Sequence, residues 1–489
     1  MLVRLDGPGT LVEQVYAGLR AAILDGTLPP GSRLPSTRAL AEESGVSRTT
    51  TQAAFDQLTA EGYLEARAGS GTYVAAELPD GSMSASGIRA ASSAPSAPSI
   101  RLSAYGRCLA DRRFEAPNPN HAVRYNFRYG LPPVEAFPYD IWRRLLNRQI
   151  QDVSLRSLRY GPAEGSPALR EAIAAYLARS RGVACSAEQV VVINGSQQGL
   201  DLTARLLVEP GDAVVIEEPH YQGARNVFLA SGARIVSCPV DADGLDPALL
   251  PDPGAGVRLV YVTPSHQFPA GGVMPIARRL ALLDWAERAG AVVIEDDYDS
   301  EYRYDGRPIP ALQGLDRGGR VVYTGTFSKV LFPSLRIGYA VLPESLLGPF
   351  ASAKWLADRH TPTIEQETLA AFIDEGHFER HLRRSRAANS SRRAALLAAL
   401  DDEFGGTIEI TGSNAGIHVV VWFRDVPADR TDAIVAGAKA QGVGVYSVAP
   451  YYLTPPETAG LLIGYASLNE REIREGIALL ASVVDQKPV

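Results

Sequence analysis

A lysine that follows a short apolar run has the clearest chemical use of any residue in this chain. Lys329 comes directly after Thr326-Phe327-Ser328, and Arg336 lies seven residues further on. A lysine amine can form a Schiff base with an aldehyde, and hydroxyl and guanidinium groups bind phosphate. Pyridoxal 5′-phosphate (PLP) carries both an aldehyde and a phosphate. These side chains therefore predict a PLP site.

Two further turns carry residue types that such a site needs. Gly195-Ser196-Gln197 follows an apolar run and opens a helical pattern, so its backbone N–H groups and hydroxyl can bind a phosphate. Asp296 and Tyr298 end a fully apolar run. A carboxylate there would keep a pyridine nitrogen protonated, and the phenol would donate to the ring oxygen. Taken singly, each motif also occurs in ordinary βα turns or in solvated acidic loops.

The composition is that of a globular protein with several domains. The chain has 489 residues, of which 46% are hydrophobic and 21% charged, and this length exceeds one ordinary domain. It has no apolar run of about 18 residues, and its first residues lack the apolar core of a secretion signal. Cys108, Cys185 and Cys238 are few and far apart, which favours a reducing compartment. We expect a cytoplasmic protein without a membrane segment, a disulfide framework or a metal cluster.

Residues 1–78 have the pattern of a winged helix-turn-helix. The periodicity and turn residues predict three helices and a hairpin with a glycine-rich tip, at 11–25, 37–43, 48–61 and 63–75. Ser36 and Ser47 stand where the second and third helices need a cap. This region holds six arginines and no lysine against nine acidic residues, a net charge of −3. Any DNA contact must therefore come from a local arrangement of arginines.

Residues 79–122 are a predicted linker, and residues 123–489 a predicted α/β domain. The linker is almost entirely Ser, Ala, Pro and Gly at first, a composition that buries little apolar area, and its last part is expected to be partly ordered. In the α/β domain, helical stretches alternate with short apolar runs, which predicts a largely parallel sheet covered by helices. A smaller α+β subdomain is expected at about 380–489.

The chemically useful residues of this domain come directly after its apolar runs. Ser196, Asp296 and Lys329 each follow a different run. Ligands of parallel sheets bind at the carboxyl ends of the strands. The three side chains are therefore expected to meet at one edge of the sheet.

The order of these residues resembles the class I aminotransferase family of fold-type I PLP enzymes, over roughly residues 123–485. The resemblance implies that Lys329 holds PLP as a Schiff base and that Asp296 pairs with the ring nitrogen. It implies phosphate contacts from Ser196, Gln197, Thr326, Ser328 and Arg336, a ring stacked on Tyr221, and a Tyr160 that reaches the phosphate of the neighbouring subunit. The role of Tyr160 implies a homodimer.

One departure from that family concerns the ring oxygen. The family's usual Asn-Pro-x-Gly is here Phe268-Pro269-Ala270-Gly271. Phenylalanine cannot donate a hydrogen bond to the ring oxygen, so Tyr298 or His266 must make that contact.

A second departure concerns the substrate. Amino-acid aminotransferases clamp the substrate carboxylate with an arginine near the C-terminus, and residues 461–468 contain none. This argues against a productive amino-acid transaminase. Arg128, Arg225 or a residue near 446–452 is the alternative for binding a carboxylate.

Residues 10–76, approximately, resemble the DNA-binding domain of the GntR family. The resemblance lies in Leu34-Pro35-Ser36-Thr37-Arg38, Val46-Ser47-Arg48-Thr49-Thr50 and Gly62-Tyr63. The resemblance implies DNA contacts from Arg38, Ser47, Arg48, Thr49, Thr50, Gln52, Arg67 and Gly69. Arg48 would reach a guanine edge and Gln52 an adenine, with Arg67 and Gly69 at the backbone or minor groove. The alternative is a winged helix kept for protein contact. The negative charge predicts weak non-specific binding and dependence on dimeric operators.

A GntR-like domain and an aminotransferase-like domain joined by a linker resemble the MocR subfamily of bacterial regulators. The segment Ser265-His266-Gln267-Phe268-Pro269 also has the MocR form. That subfamily includes GabR-like members, which sense an amino acid through PLP, and PdxR-like members, which sense PLP itself and control vitamin B6 synthesis. The resemblance implies a regulator that binds operator DNA and responds to PLP, alone or with an amine effector. The missing arginine favours the PdxR-like type. The alternatives are GabR-like regulation of amine metabolism, an active aminotransferase with a DNA-binding appendage, and a fold without cofactor.

Overall fold

The computed structural model describes residues 5, 9–67, 70–79, 100–111, 123–151, 159–304 and 309–484. The chain divides into two units, residues 1–101 and 102–489. Across the described ranges, no helix combines the length and the apolarity that a membrane span requires.

The first unit consists of three helices and one hairpin: α1 (Leu11–Leu24), α2 (Thr37–Ser44), α3 (Arg48–Ala60), β1 (Leu64–Arg67) and β2 (Gly71–Val74). Ser36 caps α2 by accepting from the Ala39 N–H at 3.2 Å, and Ser47 caps α3 by accepting from the Thr50 N–H at 3.1 Å. β1 and β2 pair antiparallel. The predicted winged helix-turn-helix is confirmed.

One buried core holds this unit together. Leu19 of α1, Leu40 of α2 and Phe55 of α3 pack into it. The helical periodicity that places these residues inside leaves the charged and hydroxyl residues at the starts of α2 and α3 on the outside.

Helices and strands alternate along the second unit. Its strands are β3 (Tyr125–Asn126), β4 (Val190–Ile193), β5 (Ala213–Glu218), β6 (Arg234–Asp241), β7 (Gly244–Leu245), β8 (Val257–Val262), β9 (Val292–Asp297), β10 (Val321–Thr326), β11 (Gly338–Val341), β12 (Ile408–Thr411), β13 (His418–Pro427), β14 (Val443–Gly444), β15 (Tyr446–Ser447) and β16 (Thr458–Gly464). Its helices are α4 (Ala104–Asp111), α5 (Tyr139–Gln151), α6 (Pro167–Arg181), α7 (Ser196–Leu207), α8 (Gln222–Ala230), α9 (Ile276–Ala289), α10 (Leu312–Leu315), α11 (Glu344–Asp358), α12 (Thr363–Asp374), α13 (His377–Phe404), α14 (Thr431–Ala440) and α15 (Glu470–Val484).

The main sheet has the strand order β4-β11-β10-β9-β8-β5-β6-β7. β11 and β7 run antiparallel to their neighbours, and the other neighbouring pairs are parallel. Val191 and Val192 of β4 pack into different cores on the two faces of the sheet. The predicted helix-covered, largely parallel sheet is confirmed. β9 and β10 are adjacent, with Asp296 opposite Thr324, so the residues that follow these strands lie at the same edge.

A second sheet, in the order β12-β13-β16-β15, is antiparallel. Val421 of β13 and Leu461 of β16 share a buried core with Leu396 of α13 and Leu480 of α15. One face of this sheet is thereby covered by helices, as an α+β subdomain requires.

Helix α4 lies within the residues predicted as a linker. Ser103 Oγ accepts from the Gly106 N–H at 3.0 Å, and Cys108 Sγ lies 3.6 Å from the carbonyl oxygen of Leu229 at α8. A capping serine and a docking contact stabilise this helix, which lies in the part of the linker expected to be partly ordered. The remaining linker residues 80–99 and 112–122 lie outside the described residues.

Candidate functional site

The carboxyl ends of β4, β9 and β10 surround a cavity of about 360 Å³. Nine of the side chains predicted to bind PLP line it: Ser196, Gln197, Tyr221, Asp296, Tyr298, Thr326, Ser328, Lys329 and Arg336. Two other predicted residues, Tyr160 and His266, are not part of its lining. The parallel strands thus gather residues that are far apart in the sequence.

Lys329 follows β10 and points into this cavity. Its Nζ donates to the carbonyl oxygen of Gly130 at 3.0 Å. Burial lowers the pKa of Lys329, and the carboxylates of Asp299 and Asp296 oppose that shift. A lower pKa leaves more of the amine neutral, which is the form that attacks an aldehyde. A Cβ at Gly130 would lie 2.8 Å from Nζ, so a larger residue there would crowd the amine.

Asp296 is the next-to-last residue of β9 and is buried. Tyr261 donates to its Oδ2 at 2.7 Å, while Oδ1 has no hydrogen-bond partner among the described residues. Desolvation raises the pKa of Asp296 to about 6. A buried carboxylate oxygen without a partner is costly, and a protonated ring nitrogen would supply the missing donor.

The start of α7 and the turn after β10 form a corner whose groups suit an anion. Gly195 precedes α7 without a side-chain cap, so the first N–H groups of the helix are left for a ligand. Ser328 Oγ is buried and has no partner among the described residues. Arg336 Nη2 donates to the carbonyl oxygen of Asn194 at 2.8 Å, which places its guanidinium beside the turn.

Aromatic side chains surround the space for a ring. Phe268 meets Tyr221 and Tyr298 edge-on, with ring centroids 5.8 Å apart in both pairs. Burial raises the pKa of Tyr221 to about 12, so its phenol stays neutral. Phe268 thus contributes apolar surface where the family has an asparagine.

His266 supports Tyr298 from behind. Its Nδ1 lies 2.9 Å from Tyr298 Oη and 3.0 Å from Asp299 Oδ2, and its Nε2 lies 3.4 Å from the carbonyl oxygen of Gly412. Tyr298 lines the cavity and His266 does not. Of the two residues predicted for the ring-oxygen contact, the geometry therefore favours Tyr298.

Five residues of the cavity lining are not predicted from the sequence: Tyr129, Gly130, Tyr261, Thr263 and His418. Tyr261 carries a usable signal, since it sits near the end of β8, beside β9. Gly130 and His418 come from distant segments without a local motif.

A larger cavity of about 870 Å³ shares Tyr221, Phe268 and Lys329 with the first. Of the residues considered as carboxylate ligands, Arg128 and Tyr451 line it, and Arg225 does not. Its volume leaves room for a small molecule beside a cofactor.

Tyr160 lies on the surface of a single copy of the chain. Its side chain is 86% exposed, and its ring lies 6.0 Å from the ring of His360. Its contact with a neighbouring subunit stays a prediction.

The residues predicted to face DNA at the start of α3 are accessible. Arg48 and Thr49 are exposed, as is Arg38 of α2. The hydroxyls of Ser47 and Thr50 lie 2.8 Å apart, so these two side chains support the helix start while Arg48 and Thr49 are free to reach outward.

Two of the other predicted DNA contacts, Gln52 and Arg67, have protein partners in the unit. Gln52 donates to Asp56 Oδ1 at 2.8 Å, an interaction that base recognition would have to replace. Arg67 lies over the ring of Tyr73 at 4.5 Å, which fixes it near the hairpin tip. Gly69 lies outside the described residues.

Known proteins share both halves of this arrangement. The family described as aminotransferase class I and II matches residues 138–480, and bacterial regulatory proteins of the gntR family match residues 11–74. The probable rhizopine catabolism regulatory protein MocR of Rhizobium meliloti is 42% identical, over 98% of this chain and 94% of its own length. The chain belongs to the MocR subfamily of GntR-type regulators.

This MocR-type regulator is also similar to the HTH-type pyridoxine biosynthesis transcriptional regulator PdxR of Corynebacterium glutamicum, with 30% identity over 98% of the chain and 96% of the relative. A similar solved structure is the crystal structure of LysN, the α-aminoadipate aminotransferase of Thermus thermophilus, complexed with N-(5′-phosphopyridoxyl)-L-leucine. The match covers 78% of this chain and 96% of the LysN chain. It has 29% identity and a TM-score of 0.70. The MocR-type chain therefore combines a GntR-type DNA-binding domain with a fold whose cofactor is PLP.

Proposed function

We propose that this MocR-type regulator senses PLP and changes its operator binding in response. The observation that carries the proposal is one cavity with unpartnered buried groups, Asp296 Oδ1 and Ser328 Oγ, and with Lys329 in its lining. These groups suit the ring nitrogen, the phosphate and the aldehyde of PLP. The same chain carries a winged helix-turn-helix, so ligand binding and DNA binding share one molecule.

Each cavity residue has one part in holding the cofactor. When bound, PLP supplies an electron-withdrawing ring and an aldehyde that reacts with amines. Lys329 Nζ would hold the aldehyde carbon, Asp296 the ring nitrogen and Tyr298 the ring oxygen. Tyr221 would cover the ring face. The phosphate would be held by Ser196, Gln197, Thr326, Ser328 and Arg336.

Sensing requires that PLP bind one arrangement of the DNA-binding units more tightly than another. We place the functional unit as a homodimer on operator DNA, since the net charge of the chain is −7 and a single winged helix with so little positive charge would bind weakly. We place it in the cytoplasm, where its three cysteines would stay reduced; all three are free thiols.

Control of vitamin B6 synthesis genes is the target that we favour. Residues 461–468 supply no arginine to clamp an amino-acid carboxylate, and PdxR of Corynebacterium glutamicum, a relative over nearly the whole chain, is named for pyridoxine biosynthesis. PLP itself would then be the effector.

An amine effector is the second candidate, and the 870 Å³ cavity favours it. An amine could reach Lys329 through this cavity while Arg128 binds an acidic group. A regulator of amine metabolism, or an aminotransferase with a DNA-binding appendage, would follow from the same geometry.

A DNase footprint of the operator with and without PLP tests the proposal. PLP should change the affinity or the footprint of the parent protein, and Lys329→Ala should abolish that change. Lys439→Ala is the matched control because Lys439 is exposed on α14, and it should behave as the parent.

An unchanged footprint under all conditions would overturn PLP sensing. A response that needs both PLP and an amine would favour the second candidate. Keto acid formed over many turnovers would identify an active aminotransferase.

A further inference from the structure

A polar network lies behind the turn that joins β4 to α7. Asp358, the last residue of α11, accepts from Asn194 Nδ2 at 2.6 Å and from Gln198 Nε2 at 2.7 Å, both through Oδ2. Lys354 Nζ donates to Asp358 Oδ1 at 2.9 Å. One carboxylate thus joins a helix on the outside of the sheet to the turn at the proposed phosphate site.

The network holds both ends of that turn. The Asn194 N–H donates to Gln198 Oε1 at 2.9 Å, and Asn194 offers its carbonyl oxygen to Arg336 Nη2. Between Asn194 and Gln198 lie Gly195, Ser196 and Gln197, and α7 begins at Ser196. The position of the free N–H groups and that of the Arg336 guanidinium therefore both depend on Asn194.

One charge of the network is withdrawn from water and the other only in part, since the Asp358 side chain is 22% exposed. The Lys354 side chain is 0% exposed, and burial lowers its pKa while Asp358 opposes that shift. Taking an ion pair out of water costs about as much as the pair returns. The pair therefore adds little net stability, and the effect that its contacts show is the geometry that Asp358 imposes on the turn.

We propose that Asp358 is the positioning residue of the phosphate-binding turn. It fixes Asn194 and Gln198, and through them it aims the start of α7 and Arg336 at the phosphate. The inference rests on the proposed PLP binding. It assigns Asp358 a role in binding the phosphate group and none at the aldehyde or the ring.

The test compares PLP with pyridoxal, which has the same ring and aldehyde but no phosphate. The affinity of each is measured by absorbance titration of the full-length protein. Asp358→Asn should weaken PLP binding about tenfold and leave pyridoxal binding within about twofold, because the carboxylate organises only the phosphate site. Asp284→Asn is the matched control, since Asp284 pairs with Arg288 at the same i,i+4 spacing on an exposed part of α9, and it should change neither affinity.

Equal losses for PLP and pyridoxal would overturn the positioning role and leave Asp358 a structural residue only. If Asp358→Asn does not fold, Asn194→Ala decides the question, because it keeps the Lys354–Asp358 pair and removes one arm of the network; it too should weaken PLP selectively. A parent protein that binds PLP no better than pyridoxal would instead overturn the phosphate site of the proposed function.

Discussion

The two helix starts that we propose to face phosphate groups are built in opposite ways. α3 of the DNA-binding unit begins at a capped turn, where Ser47 accepts from the Thr50 N–H at 3.1 Å, and its outward side chains are exposed. α7 of the aminotransferase-like unit begins after Gly195 without a side-chain cap, and a polar network from α11 holds its turn.

The difference reflects what each start has to bind. At α7 the N–H groups themselves are left for one small anion, so the protein must fix the turn in advance. At α3 the serine uses the N–H group, and contact with a long polyanion falls to flexible side chains such as Arg48. We therefore expect backbone changes to have the largest effects at α7 and side-chain changes to have the largest effects at α3.

Gly195→Ala should have the largest effect. The residue has φ +84°, and a Cβ would lie 2.6 Å from Arg336 Nη2. We expect PLP affinity to fall about 100-fold, or about 2.7 kcal/mol, through backbone strain and a displaced guanidinium. Titration with PLP measures it. Gly290→Ala is the control, because Gly290 has φ +67° but open space around it; an equal loss in the control would contradict the special role of the turn.

Arg48→Ala should weaken operator binding by about 1–3 kcal/mol, because a bidentate arginine–guanine contact contributes about that much binding free energy. Gel-shift titration on operator and on unrelated DNA measures it, with Gln57→Ala as a control further along α3, where Gln57 bonds to Glu61 at 3.0 Å. A similar loss on both DNAs would show that Arg48 binds phosphate and not a base.

The pH dependence of PLP binding tests Asp296. Burial raises its pKa to about 6, so the carboxyl group is protonated below that pH and cannot pair with a protonated ring nitrogen. The share of PLP affinity due to this group should rise about tenfold from pH ~5 to pH ~7.

Because the phosphate of PLP also titrates near pH 6, the quantity to compare is the ratio of parent to Asp296→Asn affinity at each pH. A ratio that stays flat over this range would rule out Asp296 as the partner of the ring nitrogen.

Ser47→Ala should have the smallest effect, a loss of about 1 kcal/mol in local stability at α3. Hydrogen exchange of the α3 amides measures it. Ser36→Ala, which removes the cap of α2, should affect the amides of α2 and leave those of α3 unchanged.

Motifs adjacent to strand ends made much of the cofactor cavity predictable. Ser196, Asp296 and Lys329 each follow an apolar run, and parallel strands necessarily bring such positions to one edge. The winged helix was predictable for a similar reason, since caps such as Ser47 and the helical period are local signals.

The remaining parts depend on contacts that no local pattern encodes. Asp358 reaches Asn194 across 164 residues of sequence, and the sequence around it is that of an ordinary helix end. The motif around His266 indicates a role near the ring oxygen but does not show how far the side chain lies from the cavity. The structure places His266 behind Tyr298, in contact with its hydroxyl and outside the cavity lining. Helix α4 lies in the part of the linker expected to be partly ordered. Its docking against α8 depends on a contact between segments that are far apart in the sequence.

The exposed ring of Tyr160 has a consequence beyond its own contact. Tyr160 is 86% exposed in one copy of the chain. If it completes the phosphate site of the next copy as predicted, cofactor binding is coupled to self-association by mass action. Dilution would then release PLP at constant PLP concentration. The fraction of the regulator that holds PLP would then depend on the concentration of the regulator as well as on that of PLP. Low expression alone would give the cofactor-free response.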